Sequence, residues 1–146
     1  MNQVSPTMRR LSMIPLLLLL AGCGREPYRI ASVSGRVTLN NTPLANAAVT
    51  FQPIATEGSG NPGPGSGAIT NADGHYTLVL IGKQTQGAVV GWHKVRITLV
   101  PPPSDPTNDQ PPQVQQLPAR YNVDTELEWE VTENGTTTAD FPLTSP

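Results

Sequence analysis

An all-β fold, a seven-stranded antiparallel β-sandwich, is what this chain predicts, and three observations predict it. Apolar residues recur at every second position in short runs. Clusters rich in Gly, Pro, Asn and Asp separate those runs. Beyond the first twenty-odd residues, no stretch repeats its apolar positions at the 3.6-residue period of an amphipathic helix. The 13 glycines and 16 prolines make up a fifth of the 146 residues, and the apolar fraction of 37% falls in alternation rather than in low-complexity tracts, so it can build a core. Each strand has one apolar face, which a second sheet must cover.

Taken in order, the first run covers about 30–40, with Val33, Val37 and Leu39 in one phase and Ser34, Arg36 and Thr38 in the other. It ends at Asn40-Asn41, a pair that tolerates positive φ. The second run, 47–52, puts Val49 and Phe51 on one face. A loop over 53–66 follows, too rich in glycine and proline to pair in a sheet. Runs 67–70 and 75–81 read as a hairpin around Asn71-Ala72-Asp73-Gly74, with Tyr76, Leu78 and Leu80 sharing a face. The fifth run, 92–100, alternates Val95, Ile97 and Leu99 against Lys94, Arg96 and Thr98. Seven of the eighteen residues from 101 to 118 are proline, which predicts a polyproline or irregular path over the surface. The sixth run, 126–131, places Leu127, Trp129 and Val131 between three glutamates. A turn at Asn134-Gly135 then leads into the seventh, 136–143, with Ala139, Phe141 and Leu143 facing inward. Trp129, Phe51, Tyr76 and Phe141 are the expected anchors of the core.

The N-terminus reads as an address. Arg9 and Arg10 precede an apolar run over residues 11–20 interrupted only by Ser12 and Pro15. Ten helical residues rise about 15 Å, half of a ~30 Å hydrocarbon core, which suits the apolar region of a signal peptide and not a stable span. Leu20-Ala21-Gly22-Cys23 comes next and resembles a bacterial lipobox, in which small residues admit a membrane-embedded peptidase and the cysteine thiol receives a diacylglycerol. The expected organisation is a lipoprotein signal peptide over 1–22, a lipidated tether over 23–27 and a single β-domain over 28–146. Cys23 is then a tether and not a catalytic thiol. Gly24 stands where an aspartate would favour inner-membrane retention, so the expected location is the cell envelope, on the outer membrane, facing the periplasm or the exterior.

Charge and side-chain inventory exclude several chemistries. Without residues 1–22, seven basic residues face eleven acidic ones, a formal charge of −4, so nucleic acid is not an expected partner. A single cysteine permits no internal disulfide and no four-thiolate zinc site. His75 and His93 are the only histidines, and both are assigned to polar-phase strand positions without metal-ligand spacing, so neither a metal nor another cofactor is expected. No nucleophile elbow accompanies them, and an enzyme is not expected. Glu126, Glu128 and Glu130 form a ladder on one strand face. It reads as a solvated outer face paired across strands with Lys94 and Arg96, or as a site for calcium or a basic partner. Trp92 opens the fifth run, where an exposed indole can stack on a sugar and a buried one packs beneath a loop.

A family resemblance emerges from four groups of residues: Val37-Thr38-Leu39-Asn40-Asn41-Thr42-Pro43-Leu44 with Val49-Thr50-Phe51-Gln52-Pro53; Thr70-Asn71-Ala72-Asp73-Gly74-His75-Tyr76-Thr77-Leu78; Gly87-Ala88 with Gly91-Trp92-His93-Lys94-Val95-Arg96-Ile97; and the closing Leu117-Pro118-Ala119-Arg120-Tyr121-Asn122 and Asp140-Phe141-Pro142-Leu143. Together they resemble the carboxypeptidase-regulatory-like repeat, and the chain is most similar to the small lipoproteins abundant in planctomycete bacteria. The resemblance implies a transthyretin-like (prealbumin-like) Greek-key sandwich over nearly the whole mature chain. Its motifs are turn and core residues, which specify fold more than function. The hydroxyisourate hydrolases of the wider superfamily end in Tyr-Arg-Gly-Ser. This chain ends Phe141-Pro142-Leu143-Thr144-Ser145-Pro146, so that activity does not carry over. Two functions remain in view: a non-catalytic structural or interaction module held on the lipid membrane through Cys23, and a carbohydrate- or peptide-binding module of the envelope that uses the Gly/Pro-rich loops and Trp92.

Overall fold

Alternation dictates the strands directly. In the longest one, residues 93, 95 and 97 are fully buried while Trp92, Lys94, Arg96 and Thr98 point to solvent, because successive side chains leave opposite faces of a pleated backbone. The structure, a computed structural model, describes residues 28–56, 60–101 and 117–145. These form β1 (Ile30–Ala31), β2 (Ser34–Leu39), β3 (Thr42–Pro43), β4 (Ala47–Pro53), β5 (Ser66–Ile69), β6 (His75–Thr77), β7 (Val79–Leu80), β8 (Ala88–Val89), β9 (Gly91–Leu99), β10 (Glu128–Val131) and β11 (Phe141–Leu143), with one 3-10 turn at Ala119–Tyr121. The all-β expectation holds: among the described residues there is no α-helix.

The strands make a five-stranded sheet in the order β10-β9-β4-β5-β7, a four-stranded one in which β11, β3 and β6 all pair with β2, and the two-stranded β1-β8 pair. Five-stranded and four-stranded sheets contribute to one core. Phe51 of β4 meets Phe141 of β11 edge-on at 6.1 Å between ring centroids, and Trp129 of β10 meets the same Phe141 at 5.7 Å. Phe51, Val37, Val49, Leu78, Val95, Ile97 and Leu143 are buried in that cluster. The expected anchors Phe51, Tyr76 and Phe141 are buried, and Trp129 packs partly buried at the edge of the core.

Three pairings differ from the sequence expectation. The run 75–81 is not one strand: β6 pairs with β2 while β7 pairs with β5, so the chain changes sheets at the fully buried Leu78. Only β7 therefore supplies the expected hairpin partner of β5. After β10 the turn at Gly135 does not close a hairpin either. The chain crosses over, with Thr136 N–H donating to Ser32 O at 2.9 Å and Ser34 N–H to Thr136 O at 3.0 Å. The last strand then pairs with β2 in parallel, Phe141 opposite Val37, so the pairing is not antiparallel throughout. Each change serves the same end, since a strand that crosses between layers keeps its apolar side in the core while satisfying its backbone groups on two sheets. Two split runs and the two-residue strands β3 and β8 account for the step from seven predicted strands to eleven observed ones.

The crossover fits because Gly35 has no side chain. A Cβ there would lie 2.0 Å from the carbonyl oxygen of Ala139. That carbonyl accepts a hydrogen bond from the Tyr76 hydroxyl at 2.6 Å, and the Arg36 N–H donates to the Asp140 carboxylate at 2.8 Å. Burial pushes the Tyr76 phenol pKa far up, and the Asp140 charge adds to it. The Asn40-Asn41 turn behaves as the residue types require, with φ of 50° and 66°, and joins β2 to β3 with Leu39 opposite Thr42.

Candidate functional site: a cleft beside Trp92

Where β9 begins, outward phase and backbone pairing set two apolar side chains next to each other. Trp92 occupies the first outward position of β9 and remains 49% exposed. Ile54 follows β4 in the outward phase of Thr50 and Gln52, is 39% exposed, and its N–H donates to the Trp92 carbonyl at 2.8 Å. The opposite wall comes from the start of the domain: Val90 N–H donates to Arg29 O at 2.9 Å, which ties residues 28–29 to the entry of β9. Between these walls lies a cleft of about 280 Å³ that also takes in Asn61 and Pro62.

Local chemistry orders its rim. Gly63 has a φ of +89°, and a Cβ on it would come within 2.9 Å of Val89 Cγ2 and 3.1 Å of Tyr28 Cδ1, so the absence of a side chain lets the loop lie against the Tyr28 ring. The Gly63 N–H donates to the Asn61 side chain at 3.0 Å. Lys83 Nζ donates to the Tyr28 hydroxyl at 2.8 Å and stands 5.4 Å from the ring centroid. The Arg29 guanidinium pairs with the Glu133 carboxylate. The cleft thus offers an indole and an aliphatic side chain for apolar or stacking contact, with a phenol and a guanidinium at the edge.

Other sequence candidates fall elsewhere. His93 does not sit in the polar phase as expected: it shares the inner face with Val95 and Ile97 and is 0% exposed. Counting back two residues from Val95 puts it in the apolar phase, and its position beside Lys94 obscured that. Its Nδ1 lies 3.0 Å from the Gly91 carbonyl, which must accept, so the proton sits on Nδ1 and Nε2 is left without a hydrogen-bond partner. Burial lowers the imidazole pKa below 6.5, and the bond to Gly91 opposes that shift. The ring rests 5.6 Å from Phe51, centroid to centroid. His75 is exposed at the Asn71 turn, whose side chain accepts from its N–H at 2.9 Å.

Of the glutamate ladder, Glu128 finds its expected cross-strand cation. Glu128 stands opposite Lys94 with the ion pair closed at 2.9 Å, and Glu130 stands opposite Trp92. Glu126 and Arg96 lie beyond the end of this pairing, since β10 begins at Glu128. Among the described residues, no group of three or more His, Cys, Asp or Glu side chains is placed to hold a metal ion. Among the same residues, no helix is long and apolar enough to cross a membrane. Leu20, Ala21, Gly22 and Cys23 lie outside the described residues, as does most of the proline-rich stretch 101–118.

Of the site residues, sequence reasoning singled out Trp92 and the 53–66 loop, and the structure brings these together. It missed Tyr28, Arg29 and Val90, and took Ile54 only as part of that loop. Ile54 had a usable signal, the continuing outward phase of its strand. Tyr28 and Arg29 had none, because only the β1-β8 pairing brings the start of the domain to the foot of β9. In comparisons with known proteins, no family model, no curated protein and no solved structure matches this chain.

Proposed function

We propose that this chain is a cell-envelope lipoprotein, anchored in a membrane through Cys23, whose β-domain acts as a non-catalytic structural or interaction module. The observation that carries this reading is Leu20-Ala21-Gly22-Cys23 at the end of a ten-residue apolar run, five residues before the described domain opens at Tyr28. One acyl chain binds a bilayer marginally at ~0.8 kcal/mol per buried methylene, whereas two or three chains on one residue hold almost permanently. The domain itself is read as a transthyretin-like sandwich of the carboxypeptidase-regulatory-like kind. That reading is supported by two main sheets sharing one aromatic core and by strand structure within each of the seven sequence runs. The expected location is the outer membrane, with the domain in the periplasm or outside the cell.

Metabolic labelling with a clickable fatty acid tests the anchor. The native protein should carry label and sediment with membranes, and Cys23→Ser should lose both. Equal membrane partitioning of the two proteins defeats the tether. A second reading, a carbohydrate- or peptide-binding module, is favoured by the exposed indole of Trp92 in its cleft. A glycan array followed by Trp92→Ala on any hit tests it directly.

A further inference from the structure

We infer that the Trp92 end of the domain docks on the lipid headgroup layer of the membrane that holds the anchor, with Trp92 and Ile54 seated at the interface. This rests on the lipoprotein reading above, and chain length makes the argument. Five peptide steps separate Cys23 from Tyr28, which fully extended span about 17 Å. The acylated cysteine sits at the boundary of headgroups and acyl chains, and the headgroup layer is itself about 5–7 Å deep. Tyr28 is therefore held within about 12 Å of the outer edge of that layer. Tyr28 also forms a wall of the Trp92 cleft, so the cleft is confined to the space next to the bilayer.

The chemistry of this end suits that position. A half-exposed indole, an adjacent exposed isoleucine and a tyrosine are the amphipathic and apolar groups that collect at headgroup depth, where one end of a ring is wet and the other is not. The mature chain carries a formal −4, so anionic lipid does not draw it in from a distance. Attraction is short-ranged and arises at a zwitterionic surface, with the Arg29–Glu133 pair presenting both signs of charge at the rim.

The test uses the full-length protein purified with its lipid and reconstituted into zwitterionic phosphatidylcholine vesicles, with or without brominated acyl chains. Tryptophan emission is compared with that of Trp92→Phe, which leaves Trp129 as the only emitter. The Trp92 share of the emission should fall at least about two-fold in brominated vesicles, as expected of a ring at headgroup depth, while the Trp129 signal stays nearly constant. Mass spectrometry of the same preparation reports acylation at Cys23. An acylated protein whose Trp92 emission is unchanged by bromine overturns the docking and leaves the anchor standing. An unacylated Cys23 overturns both readings. A saturable change in Trp92 emission on adding soluble oligosaccharide, with no quenching by brominated lipid, assigns the cleft to a sugar and overturns the lipid proposal.

Discussion

Two regions of this domain handle apolar surface in opposite ways. Where the chain that crosses over from β10 lands on β2, Gly35, Tyr76 and Ala139 meet so closely that a single added carbon has no room, and the Tyr76 hydroxyl closes the contact at 2.6 Å. At the foot of β9, Trp92 and Ile54 are left half-open over a cleft. The first region fastens β6 and the approach to β11 onto β2 within one sheet, and its contacts are saturated. The second leaves apolar surface open to solvent. In a fold whose motifs are mostly turns and core, the apolar side chains that packing leaves uncovered are the places to look for function.

The sharpest way to break this contrast is to fill the tight region. Gly35→Val should abolish the fold, because the new Cβ meets backbone at 2.0 Å and backbone cannot rotate away as a side chain can. The cost should exceed the ~1–3 kcal/mol of ordinary overpacking. Circular dichroism that keeps its β signal and a cooperative melt would show that the crossover is loose. Phe51→Ala comes next, at about 3–5 kcal/mol, since this ring is fully buried and packs on both Phe141 and His93. A urea midpoint close to that of wild type would mean that the two sheets do not share this core. Tyr76→Phe is smaller, about 1–3 kcal/mol, because it leaves the Ala139 carbonyl without its side-chain donor.

These regions were not equally legible in the sequence. Strand identity and inner face followed from period two, as at Val95, Ile97 and Leu99 or Val49 and Phe51, because burial on one face constrains every second residue. Sheet membership did not follow. Nothing in 75–81 marks Leu78 as the point of crossing, since one buried leucine looks the same in either sheet. The Asn134-Gly135 pair signals a turn but not what the next strand pairs with. The parallel partnership of β11 with β2 joins residues 104 apart, Phe141 and Val37, a separation that no local pattern reports. The cleft was half legible: Trp92 stood out by type, whereas Tyr28 and Arg29 reach it only through the β1-β8 pairing. His93 carries a polar ring in an apolar phase, and the phase decides its burial.

The junction between closed and open regions is the step from His93 to Trp92. His93 is fully buried and its pKa lies below 6.5, mainly through desolvation. Unfolded chains therefore take up this proton at a higher pH than folded ones do. The resulting stability is complete above pH 6.5 and is lost as pH falls through that value toward the lower folded-state pKa. Urea midpoints measured between about pH 7.5 and 5.5 should drop for the wild type and drop less for His93→Phe. Matching slopes would place the proton uptake elsewhere.

One residue away, Trp92→Ala should cost least of all, within about 1 kcal/mol, because half of the indole already faces solvent and its loss opens no internal cavity. The neighbouring ladder is expected to survive, since Trp92 pairs with Glu130 through backbone and the Lys94–Glu128 ion pair lies one outward position further along the strand. Thermal denaturation of the two proteins makes the comparison. A loss as large as that of Phe51→Ala would make the indole a structural prop, and the contrast between a sealed crossover and an open foot of β9 would then disappear.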